Sequence, residues 1–147
     1  MVSKEKTNFI IIIGLPGSGK TTLANRMALE IPNAIVLDDF SLHYHKDYKD
    51  KIKGYRSVII TDPSLCDIAN EQVHIELTLE LMFDKESDEC TFSFIYFAND
   101  PEACIINARR DPKPGGTENY IKMLTQKYVI PDGAFVKPVY KEPSDEV

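Results

Sequence analysis

FIIIIGLPGSGKTTLAN, residues Phe9 to Asn25, decides how the rest of the chain is read. Five apolar residues, Phe9 to Ile13, run directly into Gly14-Leu15-Pro16-Gly17-Ser18-Gly19-Lys20-Thr21. That octet is a complete match to the phosphate-binding pattern G-x-x-x-x-G-K-[ST]. Its glycines let the backbone take positive φ and turn N–H groups inward. Those donors lie at the start of a helix, where the macrodipole favours an anion. Lys20 is expected to reach the terminal phosphates as a flexible point charge, and the Thr21 hydroxyl to ligate Mg²⁺, with Thr22 beside it in the same turn. The flanks agree with the motif. An apolar β-branched run precedes Gly14, and Leu23, Ala24, Met27, Ala28 and Ile31 recur at helical spacing before Pro32.

Outward from this stretch, strands and helices alternate. Phe9 to Ile13 reads as a central strand, apolar on both faces, with Met1 to Asn8 a polar lead-in. Lys20 to about Ile31 is the first helix, stopped by Pro32-Asn33. Ala34 to Leu37 is a short strand ending at Asp38-Asp39. Ser41 to Lys53 reads as a polar helix with Tyr44, Tyr48 and Ile52 four apart. Ser57 to Thr61 is a third strand, closing on Asp62-Pro63. Leu65, Ile68, Ala69, Val73, Leu77 and Leu81 predict a long helix from about Ser64 to Phe83. After a charged turn at Lys85 to Glu89, Thr91 to Ala98 is a fourth strand. Asp100-Pro101 has the form of a helix start, a capping carboxylate with proline in first position, and that helix runs to about Arg110. DPKPGGT, Asp111 to Thr117, is a loop, and Glu118 to about Tyr128 is the last helix. Ile130 to Val147 holds three prolines and either adds an edge strand around Phe135 to Tyr140 or wraps the surface.

This alternation predicts an α/β fold: a parallel sheet of four to five strands with helices on both faces and right-handed crossovers. One domain is expected over residues 1–128, with 129–147 a Pro-rich tail packed on it. Ligands of such sheets bind beyond the carboxyl ends of the strands, here Gly14, Asp38-Asp39 and Asp62.

Bulk composition narrows the function. With 147 residues, 27% charged and 43% apolar, the chain reads as an ordinary globular domain, and no apolar run approaches membrane-spanning length, so a cytoplasmic protein is expected. The formal net charge of −6 argues against a broad grip on nucleic acid, so contact with it is expected to be short and local. Lys46, Lys49, Lys51, Lys53 and Arg56 form either a phosphate-binding patch or a solvated helix face. Cys66, Cys90 and Cys104 are widely spaced and read as reduced thiols; His43 and His45, near Asp38 and Asp39, read as polar side chains near a substrate rather than a metal cluster.

Among nucleotide-binding classes, the chain lacks the N-K-x-D and D-x-x-G elements of a guanine-nucleotide switch. The third strand also ends in a single acidic residue, Asp62, where motor ATPases use two. What remains favours transfer of the γ-phosphoryl group to a bound acceptor, with ATP as the expected donor; a small-molecule or modified-base kinase, or a non-catalytic nucleotide-binding module, is the alternative. Thr21 and Asp62 are the candidate metal residues, and Asp38 or Asp39 the group that takes the acceptor's proton. Arg109 and Arg110 read either as guanidinium groups brought over the phosphates or as compensation of a helix dipole.

GLPGSGKTT, LDDF, IITDPSL and the proline-started helix ending NARRD, in that order, resemble the 5′-kinase domain of phage polynucleotide kinases, within the wider group of small P-loop kinases. The resemblance runs from about Phe9 to Tyr128. It implies a P-loop kinase domain using ATP and Mg²⁺, with Asp38 as general base and Arg110 on the donor's phosphates. It implies a polynucleotide 5′-hydroxyl, nucleotide or nucleoside as acceptor, with Asp38 and Asp39 beside it. Three positions depart from the pattern. Leu37 stands where the family has an arginine on the acceptor's phosphate, Ser41 near a second missing arginine, and Ile106 near a basic residue of the helix ending at Arg110.

Overall fold

The computed structural model describes residues 5–38, 52, 54–67, 88–110 and 117–141. Among these residues, five strands form one sheet: β1 (Glu5–Ile13), β2 (Ala34–Asp38), β3 (Ser57–Thr61), β4 (Asp88–Phe97) and β5 (Val136–Lys137). Their order is β2-β3-β1-β4-β5, and every pairing is parallel. Among the described residues, three α-helices have both ends defined: α1 (Lys20–Glu30), α2 (Pro101–Arg110) and α3 (Thr117–Lys127).

β1 sits between β3 and β4, so both its faces need cover, and its apolar run supplies that by alternation. Phe9, Ile11 and Ile13 face a cluster with Val58 and Ile60 of β3, Ala103 and Cys104 of α2, and Ile121 and Leu124 of α3. Ile12 faces the other way, with Ile59, Phe97 and Ala24 of α1, and Ile10, Leu23, Met27 and Ala28 pack around them. Helices therefore cover both faces, as the alternation predicts. β1 and β4 are neighbours whose chains leave in opposite directions, into α1 on one face and α2 on the other. A crevice at their carboxyl ends follows from that divergence.

Three local expectations are corrected. β1 begins at Glu5, because Glu5 to Asn8 pair with Asp88 to Thr91, and Asn8 Oδ1 accepts from Thr91 Oγ1 at 2.6 Å. The same pairing draws Asp88 and Glu89 out of the expected charged turn and into β4; polar residues reveal a strand only through their partner. The long helix expected from Ser64 does not start there. Pro63–Cys66 is a single 3₁₀ turn, and Asp67 returns to extended backbone and bridges antiparallel to Tyr128. The cause is local: Asp62 Oδ1 accepts from Ser64 N and Oγ at 2.9 and 2.7 Å, closing the turn, while Leu65 and Cys66 are both drawn into the core. The rest of that expected helix, most of the Ser41–Lys53 segment, His43, His45 and Lys46 to Lys51 lie outside the described residues.

The C-terminal segment resolves in favour of the edge strand. β5 pairs with Tyr96 and Phe97, after which Val139 is buried and Tyr140 crosses the phosphate loop. The start of α2 matches its sequence signature, with Ala103 N donating to Asp100 Oδ1 at 3.2 Å. Among the described residues, no helix is long and apolar enough to cross a membrane.

Candidate active site at the phosphate loop

Gly14 leaves β1 at the centre of the sheet, and the loop to Gly19 then folds back to start α1. Two of its residues need left-handed backbone, Gly17 at φ 84° and Gly19 at φ 105°. At Gly17 space matters as well, since a Cβ there would lie 2.5 Å from the Cys104 carbonyl oxygen of α2. Gly19 occupies the N-cap of α1, no side chain caps the helix, and its first turn contains no acidic residue. The positive end of the helix dipole therefore faces the loop with no carboxylate of its own first turn to offset it.

Inside the loop, two donors converge on one atom. Ser18 N–H and Lys20 Nζ both point to the Leu15 carbonyl oxygen, at 3.1 and 3.0 Å. Lys20 is only 7% exposed, so its ammonium is held in a largely dry place beside main-chain oxygen. Ser18 Oγ is buried with no hydrogen-bond partner. A phosphate oxygen entering the loop would take the place of the Leu15 oxygen on these donors.

Below the loop lies a buried floor. Cys66, from the 3₁₀ turn, and Cys104, from α2, are both free and inside the core. Burial pushes the Cys66 thiol up to about 12, against the nearby Lys20 ammonium and Gly14 amide, which favour the thiolate. Burial raises Cys104 in the same way, to about 11, again opposed by Lys20. Both thiols are therefore neutral packing groups beneath the lysine. Tyr128, from the end of α3, sends its hydroxyl between the carbonyls of Phe97 at 2.5 Å and Ile13 at 3.3 Å. It thus ties together the diverging ends of β4 and β1.

The acidic candidates lie along the same edge. Thr61 is in register with Asp38 on one side and Ile12 on the other, so Asp38, Asp62 and the loop leave the sheet side by side. Asp62 is 2% exposed, and its Oδ1 holds the 3₁₀ turn. Asp39 lies outside the described residues. Thr21 and Thr22 are exposed in the first turn of α1. Oxygen donors of this kind, one hydroxyl and one carboxylate, suit Mg²⁺. Leu37, just before Asp38, is buried in the core among apolar neighbours.

At the end of α2, Arg109 Nη2 pairs with Glu118 Oε1 of α3 at 2.9 Å. The Arg109 hydrogen bond holds the Glu118 carboxyl below its ordinary range. Arg109 is thus engaged with a carboxylate here, and Arg110 follows as the exposed last residue of α2; residues 111–116 lie outside the described set. Sequence reasoning missed Asn107. Its Nδ2 donates to the Gly17 carbonyl at 2.9 Å and to the Tyr140 carbonyl at 2.5 Å. An asparagine three residues before the end of a helix carries no signal of such a role.

Solved kinases superpose on nearly the whole chain. The chain has the fold of P-loop kinases. A fungal RNA kinase superposes over 99% of this chain and 79% of its own, with a TM-score of 0.62 at 16% identity. A gluconokinase from Sinorhizobium meliloti covers 95% of this chain and 86% of its own, at TM-score 0.57 and 10% identity. A shikimate kinase from Acinetobacter baumannii, solved with shikimate, covers 95% and 87% at TM-score 0.51 and 14% identity. In sequence, the chain is 29% identical over 125 residues to an uncharacterized protein of Acanthamoeba polyphaga mimivirus, spanning 82% of this chain and 86% of the relative. No protein-family model matches the sequence.

Proposed function

We propose that the protein is a phosphotransferase that moves the γ-phosphoryl group of ATP to a hydroxyl acceptor, most favourably a polynucleotide 5′-hydroxyl or a nucleotide or nucleoside. The observation that carries this is the convergence of Ser18 N–H and Lys20 Nζ on one point, beside an uncapped helix start. Gly14 to Thr22 would cradle the β- and γ-phosphates, with the Lys20 ammonium exchanging Leu15 oxygen for phosphate oxygen. The Thr21 hydroxyl and Asp62 carboxylate would hold Mg²⁺, which neutralises phosphate charge when bound. Asp38 would accept the proton of the attacking hydroxyl as that oxygen bonds to the γ-phosphorus. The bond from the γ-phosphorus to the bridging oxygen breaks, and ADP leaves with that electron pair. Arg110 would stabilise the charge on the transferred group, with Arg109 beside it.

Support for a nucleic-acid acceptor comes from the order of motifs and from the likeness to an RNA kinase. A small hydroxyl metabolite is the second reading, favoured by three observations: Leu37 is core, the net charge is −6, and gluconokinase and shikimate kinase share the fold. Labelled ATP offered with 5′-hydroxyl oligonucleotides, nucleosides and sugar or polyol metabolites separates them. The first reading expects label on the oligonucleotide or nucleoside, lost by orders of magnitude in Asp38→Ala with ATP affinity retained. Label on a metabolite alone establishes the second, and ATP binding without transfer to any acceptor overturns both in favour of a nucleotide-binding module.

A further inference from the structure

Three hydrogen bonds close a triangle on the outer side of the phosphate loop. Asn107 of α2 donates one amide proton to the Gly17 carbonyl and the other to the Tyr140 carbonyl, and Tyr140 N–H donates to the Ser18 carbonyl at 3.0 Å. An asparagine amide nitrogen has two protons, and both are used here. We propose that Asn107 is a positioning residue that sets the affinity of the loop for the donor nucleotide, an inference that rests on the nucleotide-binding reading above.

The argument is peptide geometry. In a trans peptide the C=O and the following N–H point in opposite directions. Holding the Gly17 carbonyl outward on Asn107 turns Ser18 N–H inward, where it meets Leu15 O beside Lys20 Nζ. Holding the Ser18 carbonyl outward on Tyr140 turns Gly19 N–H away from the C-terminal segment in the same sense. Glycine at positions 17 and 19 makes these peptides easy to rotate. Within the loop, Ser18 N–H is held by the Leu15 oxygen, which a phosphate would displace, so an external restraint on the same peptides matters. Asn107 supplies it from α2, whose Cys104 carbonyl already packs against Gly17, and the buried Val139 anchors the segment after β5 that brings Tyr140 across. The sequence spans are long: 90 residues separate Asn107 from Gly17, and 33 separate it from Tyr140. The restraint therefore exists only in the folded chain.

Two full-length variants test this, with Mg·ATP affinity measured by titration calorimetry and the melting temperature measured alongside. Asn107→Ala removes both amide donors, and Tyr140→Pro removes the N–H held by Ser18. Each is expected to weaken Mg·ATP binding about tenfold, the effect of losing one well-aligned restraint. The double variant is expected to lose little more than either single, because both act on one triangle. A lowered melting temperature with dissociation constants within about twofold of the unsubstituted protein would show a merely structural tie and overturn the proposal. Multiplying effects in the double variant would overturn the shared restraint. If Asn107→Ala fails to fold, Tyr140→Pro alone decides by the same criterion. Absence of ATP binding by the unsubstituted chain would sink the nucleotide reading itself, and this inference with it.

Discussion

Gly17→Ala isolates the contact between the phosphate loop and α2. Gly17 has φ 84°, and an added methyl carbon would sit 2.5 Å from the Cys104 backbone oxygen, 3.3 Å from its carbonyl carbon and 3.4 Å from its Cα. An alanine in left-handed backbone costs about 1–2 kcal/mol. Relieving an overlap with helix backbone adds about 1–3 kcal/mol, since no flexible side chain can swing aside. The total is about 2–5 kcal/mol, a large share of the stability of a domain this size. Gly133 is the matched control. It has φ 78° with nothing within 4 Å of its added carbon, so Gly133→Ala carries the backbone penalty without the collision. Any gain from a stiffer unfolded chain is common to both variants and cancels. Urea unfolding of the two, monitored by far-ultraviolet circular dichroism, reads the difference directly. Gly17→Ala is expected to be the less stable by about 1–3 kcal/mol and to lose Mg·ATP binding, while Gly133→Ala keeps it. Equal stabilities, with ATP bound normally by both, would refute the packing of the loop on α2.

Three further outcomes follow from the same geometry. Tyr128→Phe leaves the buried Phe97 and Ile13 carbonyls without the hydroxyl and should lower stability by about 1–2 kcal/mol in urea unfolding; an unchanged midpoint would contradict the tie. Cys66 is raised from 9.0 to about 12, so the fold favours its neutral thiol. That contribution is complete below about pH 9 and is lost as pH rises towards 12, at about 1.4 kcal/mol per pH unit. Cys66→Ala should therefore flatten the alkaline decline in unfolding free energy, and an identical slope in the variant would count against the buried thiol. Thiol reagents at pH 8 should label Cys66 and Cys104 slowly in the native protein and rapidly in urea; fast native labelling would place them outside the core.

The fold was legible where residue type and geometry have no alternative. Ile10 to Ile13 can only be a strand covered on both faces, and a glycine-rich turn before Lys20-Thr21 can only open a helix. Proline after Asp100 marked the start of α2 to the residue. Other features depended on partners distant in sequence. Glu5 to Asn8 become a strand because Asp88 to Thr91 lie beside them, and nothing in either polar segment announces the pairing. Leu65 and the residues after it had helical spacing, but the Asp62 side chain closes a tighter turn and the core claims Leu65 and Cys66 together. The site divides in the same way. Gly14 to Thr22 is contiguous and was readable as a unit, whereas Asn107 reaches Gly17 from 90 residues away, Tyr128 reaches Ile13 from 115, and Tyr140 holds the Ser18 carbonyl from the other end of the chain, all through main-chain atoms, which leave no trace in side-chain pattern.

The central claim is that this loop binds the phosphates of a nucleotide through inward-facing amides and Lys20. Titration of Mg·ATP into the unsubstituted protein and into Lys20→Ala tests it most directly. The account predicts saturable binding of one nucleotide per chain, competed by ADP, and weakened at least tenfold without the ammonium. Equal affinity in the two proteins, or no heat of binding in either, would contradict it.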